Sequence, residues 1–170
     1  PVAKKPDSVD ICFLPHGNYQ KLVVEEMKTK PKSGNIVTED GEILGKHTGL
    51  FNYTIGQRKG LGIAYKHPLY VIGFNGDRNE VIVGPNERLF TNRMICKFYN
   101  FLDDTIHKEL KAEGKIRYAA NPSPCTARIL DDDTMEVIFD EPQRAITPGQ
   151  SVAFYNGSQL LGGSVIDRVC

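Results

Sequence analysis

The second half of the chain consists of short strand patterns separated by turn residues. Six such patterns occupy 94–102, 114–119, 126–130, 136–139, 151–155 and 160–167. Asp132-Asp133 and Asn156-Gly157 are typical of the turns between them. Because six strands in so short a segment can hide their edges by closing on one another, residues 88–170 are predicted to form a six-stranded antiparallel β-barrel. The segment 103–113 is predicted to be a short helix or a loop.

The first half contains one helix pattern and two hairpin patterns. An apolar stripe predicts a helix over about 18–30, which Pro31 ends. Strand patterns at 34–38 and 42–45 flank one turn, and strand patterns at 69–74 and 80–83 flank another. A boundary is predicted near 85–87. The chain is therefore predicted to be mainly β, with a small α+β central domain at 1–87 and the C-terminal barrel at 88–170.

Cys12 is predicted to be an accessible thiol on a strand. Apolar Ile11 and Phe13 alternate with Asp10 and Cys12, so a strand that buries the first pair exposes the second. Pro15-His16-Gly17 then ends the strand in a loop. An exposed thiol beside a loop suits sulfur chemistry, because a thiolate must be reachable to attack or to carry a group. The alternative is a spare structural cysteine, which the spacing alone favours.

The charge and cysteine content exclude several classes of function. The 21 basic and 21 acidic residues balance, so any nucleic-acid binding depends on local patches rather than on bulk attraction. Residues 43–76 and 114–130 are such patches, because they contain Lys and Arg but no Asp or Glu. The four cysteines form no C-x-x-C pair, so no metal site is predicted and a reducing compartment is favoured. No segment has the length and apolar character of a membrane span.

Three groups of residues are candidates for contacts with RNA. Arg58 and Lys59 lie between glycines that let a phosphate backbone approach closely. Arg117 and Tyr118 pair a guanidinium with a ring that can stack on an unpaired base. Gln150 follows a predicted turn and can donate to a sugar or a base edge. The alternatives are a glycine-rich turn with solvated cations, and a strand on which one residue of the Arg-Tyr pair faces the core.

Longer strings of residues run through nearly the whole chain. They are Asp7-Ser8-x-x-Ile11-Cys12-Phe13, Asp40-Gly41-x-x-x-Gly45-x-His47-x-Gly49-Leu50, Tyr53-Thr54-Ile55-Gly56-Gln57-Arg58-Lys59-Gly60-Leu61-Gly62, Lys115-Ile116-Arg117-Tyr118, Pro142-Gln143-Arg144-Ala145, Thr147-Pro148-Gly149-Gln150 and Leu161-Gly162-Gly163. In this order they resemble the tRNA-specific 2-thiouridylase family, which makes 2-thiouridine at wobble position 34 of tRNA. Ser164 stands where that family usually has a third glycine.

The resemblance implies an activity and the residues that carry it. In such enzymes ATP adenylates the uridine 2-oxygen, and sulfur arrives as a persulfide on the cysteine that matches Cys12. Arg117, Tyr118 and Gln150 match positions that contact tRNA, whereas Arg58 and Lys59 are included for their charge and their glycine flanks. The family's N-terminal ATP-pyrophosphatase domain has no counterpart in this sequence. Nor does its first catalytic cysteine, which can form a disulfide bond with the second.

The chain is therefore expected to be part of a bacterial, cytoplasmic tRNA-uridine 2-sulfurtransferase. It is expected to be inactive on its own, because ATP binds to the missing domain. Its expected partners are tRNA and a sulfur-relay protein that donates the persulfide; no membrane partner and no cofactor bound by this chain are expected. The alternative from a different class is a non-catalytic RNA-binding β-barrel module. A pyrophosphatase loop and a cysteine encoded upstream of Pro1 would favour the enzyme.

Overall fold

The computed structural model describes residues 23–26, 31–103 and 108–170. Residues 23–26 are helical and lie inside the segment for which a helix is predicted; the rest of that segment, up to residue 30, lies outside the described residues. Cys12 and the strand predicted around it also lie outside the described residues. The accessibility of this thiol therefore stays a prediction.

The first part of the described chain forms a four-stranded mixed sheet. The strands are β1 (Gly34–Thr38), β2 (Ile43–His47), β3 (Tyr70–Asn75) and β4 (Glu80–Gly84), in the order β2-β1-β4-β3. β1 and β2 are antiparallel, as are β3 and β4, whereas β1 and β4 are parallel. Both predicted hairpins are confirmed. Gly41 closes the first with a φ of 86°, a conformation that glycine adopts without steric cost.

The sheet packs one of its faces on a small apolar core. Strand residues alternate between buried and more exposed positions, as in β4, where Val81 and Val83 are fully buried. The connection 48–69 between β2 and β3 runs over this core and contributes side chains to it. The buried set is Ile36, Leu61, Leu69, Val71, Val81 and Val83.

His47 is buried at the end of β2 and joins the two hairpins. Its Nε2 donates to the carbonyl oxygen of Asn79 (2.9 Å), and its Nδ1 accepts from the N–H of Gly49 (3.1 Å). Gly34 lies against the same pair, because a Cβ atom there would overlap the carbonyl of Asn79 and stand 2.5 Å from His47 Nε2. Both ring nitrogens are thus used inside the protein, as buried polar groups require. His47 therefore has a structural role.

The second part forms the predicted closed barrel. Its strands are β5 (Phe90–Phe101), β6 (Glu109–Lys115), β7 (Ser123–Ile129), β8 (Thr134–Arg144), β9 (Ser151–Asn156) and β10 (Gln159–Val169). They follow one another in the order β10-β5-β8-β7-β6-β9, and every neighbouring pair is antiparallel. The first and last strands are neighbours, with Met94 opposite Val169. The interior is filled by buried side chains that include Met94, Cys96, Cys125, Met135, Val137, Phe139, Val152, Phe154 and Ile166.

The prediction for the second barrel strand is wrong. Residues 114–119 are predicted as a strand and 103–113 as a helix or loop, but β6 is Glu109–Lys115. Glu, Leu, Lys and Ala favour helices, and here that preference is overridden by pairing with β7 on one side and β9 on the other. As a result Arg117 and Tyr118 lie in a turn after β6, where the N–H of Ala120 bonds the carbonyl of Arg117 (3.1 Å).

A short 3-10 helix (Asn86–Leu89) leads from the sheet to the barrel, and Arg144 fastens the two together. The guanidinium of Arg144 lies over the ring of Tyr70 at 5.4 Å, and its Nε donates to Oδ1 of Asn86 (3.1 Å). Buried Ala145 follows, and its N–H donates to the carbonyl of Leu89 (2.7 Å). These five residues, Tyr70, Asn86, Leu89, Arg144 and Ala145, are called the junction below.

Candidate nucleic-acid interface

Arg117 is half-buried and holds the turn that leads to Gln150. One guanidinium nitrogen, Nη2, donates to the carbonyl of Ala145 and to Oγ1 of Thr147 (3.1 Å). The turn continues to Gln150, whose N–H bonds the carbonyl of Thr147 (3.2 Å) and whose side chain is exposed. The structure therefore brings two predicted site residues, Arg117 and Gln150, to the same turn.

The charge of Arg117 is poorly solvated. Burial, and secondarily the nearby guanidinium of Arg144, lower the pKa of Arg117 from its ordinary value. Both effects disfavour the positive charge. An anion placed beside the two guanidinium groups would offset them, and a phosphate is the anion whose geometry arginine matches best.

Tyr118 presents an aromatic face beside these cations. Its side chain is 80% exposed, so the ring is accessible to a ligand. Nζ of Lys115 lies 5.4 Å from the ring centroid, within cation–π range. An exposed ring next to a cation suits an unpaired base with its attached phosphate.

Arg58 and Lys59 are exposed at the tip of a loop that the side chain of Gln57 closes. Gln57 Oε1 accepts from the N–H of Thr54 (3.0 Å), and its Nε2 donates to the carbonyl of Lys59 (2.9 Å). The loop is fixed to β3 by two backbone bonds between residues 56–57 and Val71. The residue that shapes this loop is thus the glutamine between the glycine and the cations, which the sequence patterns did not single out.

The loop around Arg58 packs on the junction. A Cβ atom at Gly56 would lie 3.2 Å from Cβ of Ala145 and 3.4 Å from Nη1 of Arg144, so the loop and the barrel turn touch at this glycine. Arg144 is therefore a cation of the site that the prediction missed. Its signal in the sequence is its place in the Pro142-Gln143-Arg144-Ala145 string, where it is the one strong cation of an acid-free stretch, 142–166.

The cations of the candidate interface have no carboxylate partners among the described residues, and the same holds for six other cations, namely Lys32, Lys46, Lys66, Arg78, Lys108 and Lys111. Within the described ranges, none of Arg58, Lys59, Lys115, Arg117 and Arg144 forms an ion pair with a carboxylate. Other cations are neutralised locally, namely Arg88 by Glu39, Arg93 by Glu136, Lys97 by Asp167, Arg128 by Glu109 and Glu136, and Arg168 by Asp167. Cations without a carboxylate partner therefore lie on the loop around Arg58, at the junction and around the turn after β6.

The described cysteines fall into two environments. Cys96 and Cys125 are buried inside the barrel, and burial raises the pKa of each thiol to about 12. Cys170 is exposed beside the start of β5. In the part of the chain that the structure describes, no group of three or more His, Cys, Asp or Glu side chains is arranged to hold a metal ion.

At pH 8 a thiol reagent is expected to modify Cys170 of the folded protein rapidly and to leave Cys96 and Cys125 intact. With a pKa of about 12, each buried thiol is deprotonated in only about one molecule in 10⁴ at this pH. The check is mass spectrometry after a short labelling pulse, with urea-unfolded protein as the control in which all cysteines react. Rapid native labelling of either buried cysteine would contradict the packing of the barrel.

Two protein-family models match the chain and give its class. The tRNA methyl transferase PRC-barrel domain matches residues 21–85, and the aminomethyltransferase beta-barrel domain matches residues 91–166. The sheet thus lies within a domain class named for tRNA-modifying enzymes, and the barrel within one named for aminomethyltransferases. Among the residues that the structure describes, no helix is long and apolar enough to cross a membrane.

Comparison over the whole chain is more specific. The tRNA-specific 2-thiouridylase of Clostridioides difficile (strain 630) is 45% identical over 168 residues, which is 98% of this chain and 46% of that protein. Those of Carboxydothermus hydrogenoformans and Geotalea uraniireducens are each 44% identical over 167 residues, or 98% of this chain and 46% and 44% of the relatives. The chain belongs to the tRNA-specific 2-thiouridylase family. It spans about half the length of the curated relatives it matches.

Proposed function

We propose that this chain supplies the persulfide cysteine and part of the tRNA-binding surface of an enzyme that makes 2-thiouridine at position 34 of tRNA. Cys12 would carry the sulfur as a persulfide. Arg58, Lys59, Arg117, Tyr118 and Gln150 would hold the tRNA. The proposal is supported by membership of the thiouridylase family, whose relatives are named tRNA-specific 2-thiouridylases.

The observation that carries the proposal is the group of cations without carboxylate partners around the junction. Like charges that lie near each other without neutralisation lower the stability of the folded protein. Arg144 and Arg117 are such a pair, because Arg144 contributes to the lowered pKa of Arg117. RNA phosphates remove that destabilisation when they bind, and the exposed ring of Tyr118 supplies a stacking surface next to them.

The rest of the reaction belongs to the same proposal. ATP would activate the uridine 2-oxygen at a site outside this chain, and a sulfur-relay protein would load Cys12 with its persulfide. The full-length protein would work in the bacterial cytoplasm. The division of the chain at residues 87 and 88 into a central and a C-terminal domain is proposed with it.

Replacing Tyr118 with alanine is expected to weaken tRNA binding about tenfold, because stacking of one base on an aromatic side chain contributes about 1–3 kcal/mol. Tyr118→Phe keeps the ring and is expected to bind within about twofold of the wild type. The measurement is fluorescence anisotropy with labelled tRNA at fixed salt. Since the side chain is 80% exposed, both variants should unfold at the wild-type temperature. Equal affinity of Tyr118→Ala and wild type would remove Tyr118 from the site.

A further inference from the structure

The connection between β2 and β3 contains an extended segment that joins no sheet. Leu61 and Leu69 are buried, and Ile63 and Tyr65 pack on the core of the sheet, so the residues between them face outward. Gly62, Ala64 and Lys66 are accordingly exposed. The segment is held in place by its apolar side chains rather than by backbone pairing.

The backbone donors of this segment are unused. Within the described part of the chain, no N–H group of residues 58–67 or of Leu69 donates a hydrogen bond to another protein group. The bonded donors on either side are the N–H groups of Gln57 and Val71. Backbone N–H groups are strong donors that normally find partners, so unpaired ones remain available to an anion.

The same segment lines an open cleft of about 700 Å³ whose side chains suit an anion. Arg58 and Lys66 contribute positive charge, and His67 packs edge-on against Tyr65 with ring centroids 5.0 Å apart. Among the described residues, those that line the cleft include no carboxylate, because residues 43–76 contain no Asp or Glu.

A neighbouring recess carries negative charge. That recess, of about 250 Å³, shares Lys66 and His67 with the cleft and is lined on its other side by Glu39, Asp40 and Glu42. Glu39 is also paired with Arg88. A polyanion would therefore be repelled from the recess and directed into the cleft.

We propose that this cleft binds phosphate groups of an RNA strand through Arg58, Lys66 and the free backbone N–H groups between them. The inference rests on the proposed function and deepens it, because it gives the tRNA a contact on the sheet in addition to the barrel turn of Arg117. The phosphates of a free nucleotide share this chemistry. RNA is the better fit, because the cleft is open along its length and Gly56–Gly62 lacks the G-x-x-x-x-G-K-[ST] arrangement that cradles a triphosphate.

The test is the salt dependence of tRNA binding by the full-length protein. Each phosphate contact contributes roughly 0.7–0.9 to the slope of log affinity against log salt. The double variant Arg58→Ala/Lys66→Ala is expected to lower the slope by about 1.5 and to weaken binding at least about tenfold. Lys111→Ala, which removes an exposed cation on β6, is the matched control and should leave the slope unchanged. All three side chains are exposed, so thermal unfolding should be the same in each variant.

Three outcomes decide between the possibilities. If the double variant keeps the wild-type slope while Tyr118→Ala still weakens binding, the cleft is not an RNA site, Arg58 leaves the set of proposed tRNA contacts, and the rest of the proposed function stands. If the wild type has no affinity for tRNA, both proposals fail. If ATP binds to the protein with an affinity that the double variant loses, and the slope for tRNA is unchanged, the phosphate belongs to a free nucleotide and the inference is overturned.

Discussion

Replacing Cys12 with alanine is expected to abolish thiouridine formation by the full-length protein and to leave tRNA affinity within about twofold. The physical reason is that a persulfide needs a reachable thiol, and removal of a covalent nucleophile typically costs at least about 10³-fold in rate. No described cysteine inside the barrel can replace it, because Cys96 and Cys125 are buried and burial raises their pKa to about 12. The measurement is the 2-thiouridine content of tRNA after incubation with ATP and a persulfide donor.

Cys170→Ala is the matched control for Cys12→Ala, since it removes the other accessible candidate thiol, and it should keep full activity. Wild-type turnover in Cys12→Ala would return Cys12 to the role of a spare structural cysteine. A wild-type protein that binds tRNA but never forms thiouridine under these conditions would favour the RNA-binding module over the enzyme.

Replacing Gly34 with alanine is expected to lower the free energy of unfolding by about 3 kcal/mol or more. The new methyl group would overlap the carbonyl of Asn79 and crowd Nε2 of His47, so the buried bond between them (2.9 Å) must break or the hairpin must move. Asn79 cannot retreat freely, because its Nδ2 donates to the carbonyl of Ser33 (2.9 Å). Urea denaturation followed by fluorescence and circular dichroism measures the change.

Gly76→Ala is the matched control for Gly34→Ala. It makes the same chemical change in the same sheet, at the turn between β3 and β4, but no atom lies within 4 Å of the added methyl group. Its effect should be within about 0.5 kcal/mol of zero. If the two variants are equally stable, the packing of Gly34 against His47 and Asn79 is not what fixes the sheet.

The barrel and both hairpins were predictable because their signals are local. A period of two residues and turn residues such as Gly41 or Asn156-Gly157 act within a few positions of each other. The prediction for the second barrel strand is misplaced because the interactions that make it a strand are not local in the sequence. Glu109–Lys115 has helix-favouring residues, and it becomes a strand because β7 and β9 offer unpaired edges on both sides.

The candidate interface was predictable in its residue types and not in its arrangement. Arg58 and Lys59 are predicted from their charge and glycine flanks, whereas Arg117, Tyr118 and Gln150 are predicted from the resemblance to the family. Arg117 bonds the turn that carries Gln150. This contact depends on Ala145, which has a φ of 56° and whose carbonyl accepts from Arg117. Such a conformation is rare for a residue with a Cβ atom, and no sequence pattern marks it. The contact of Gly56 with Arg144 joins segments nearly ninety residues apart and is equally invisible in the sequence.

The first barrel strand pairs with the last, and this pairing determines where the chain of the barrel could be rejoined and reopened. Met94 lies opposite Val169, the N–H of Cys170 bonds the carbonyl of Arg93 (3.1 Å), and Thr91 bonds Cys170 in return (2.9 Å). The polypeptide thus enters and leaves the barrel at one place. A circular permutant that joins these ends and opens at the turn between β9 and β10 should keep all six strand ladders. The barrel could therefore be moved into another protein as one unit.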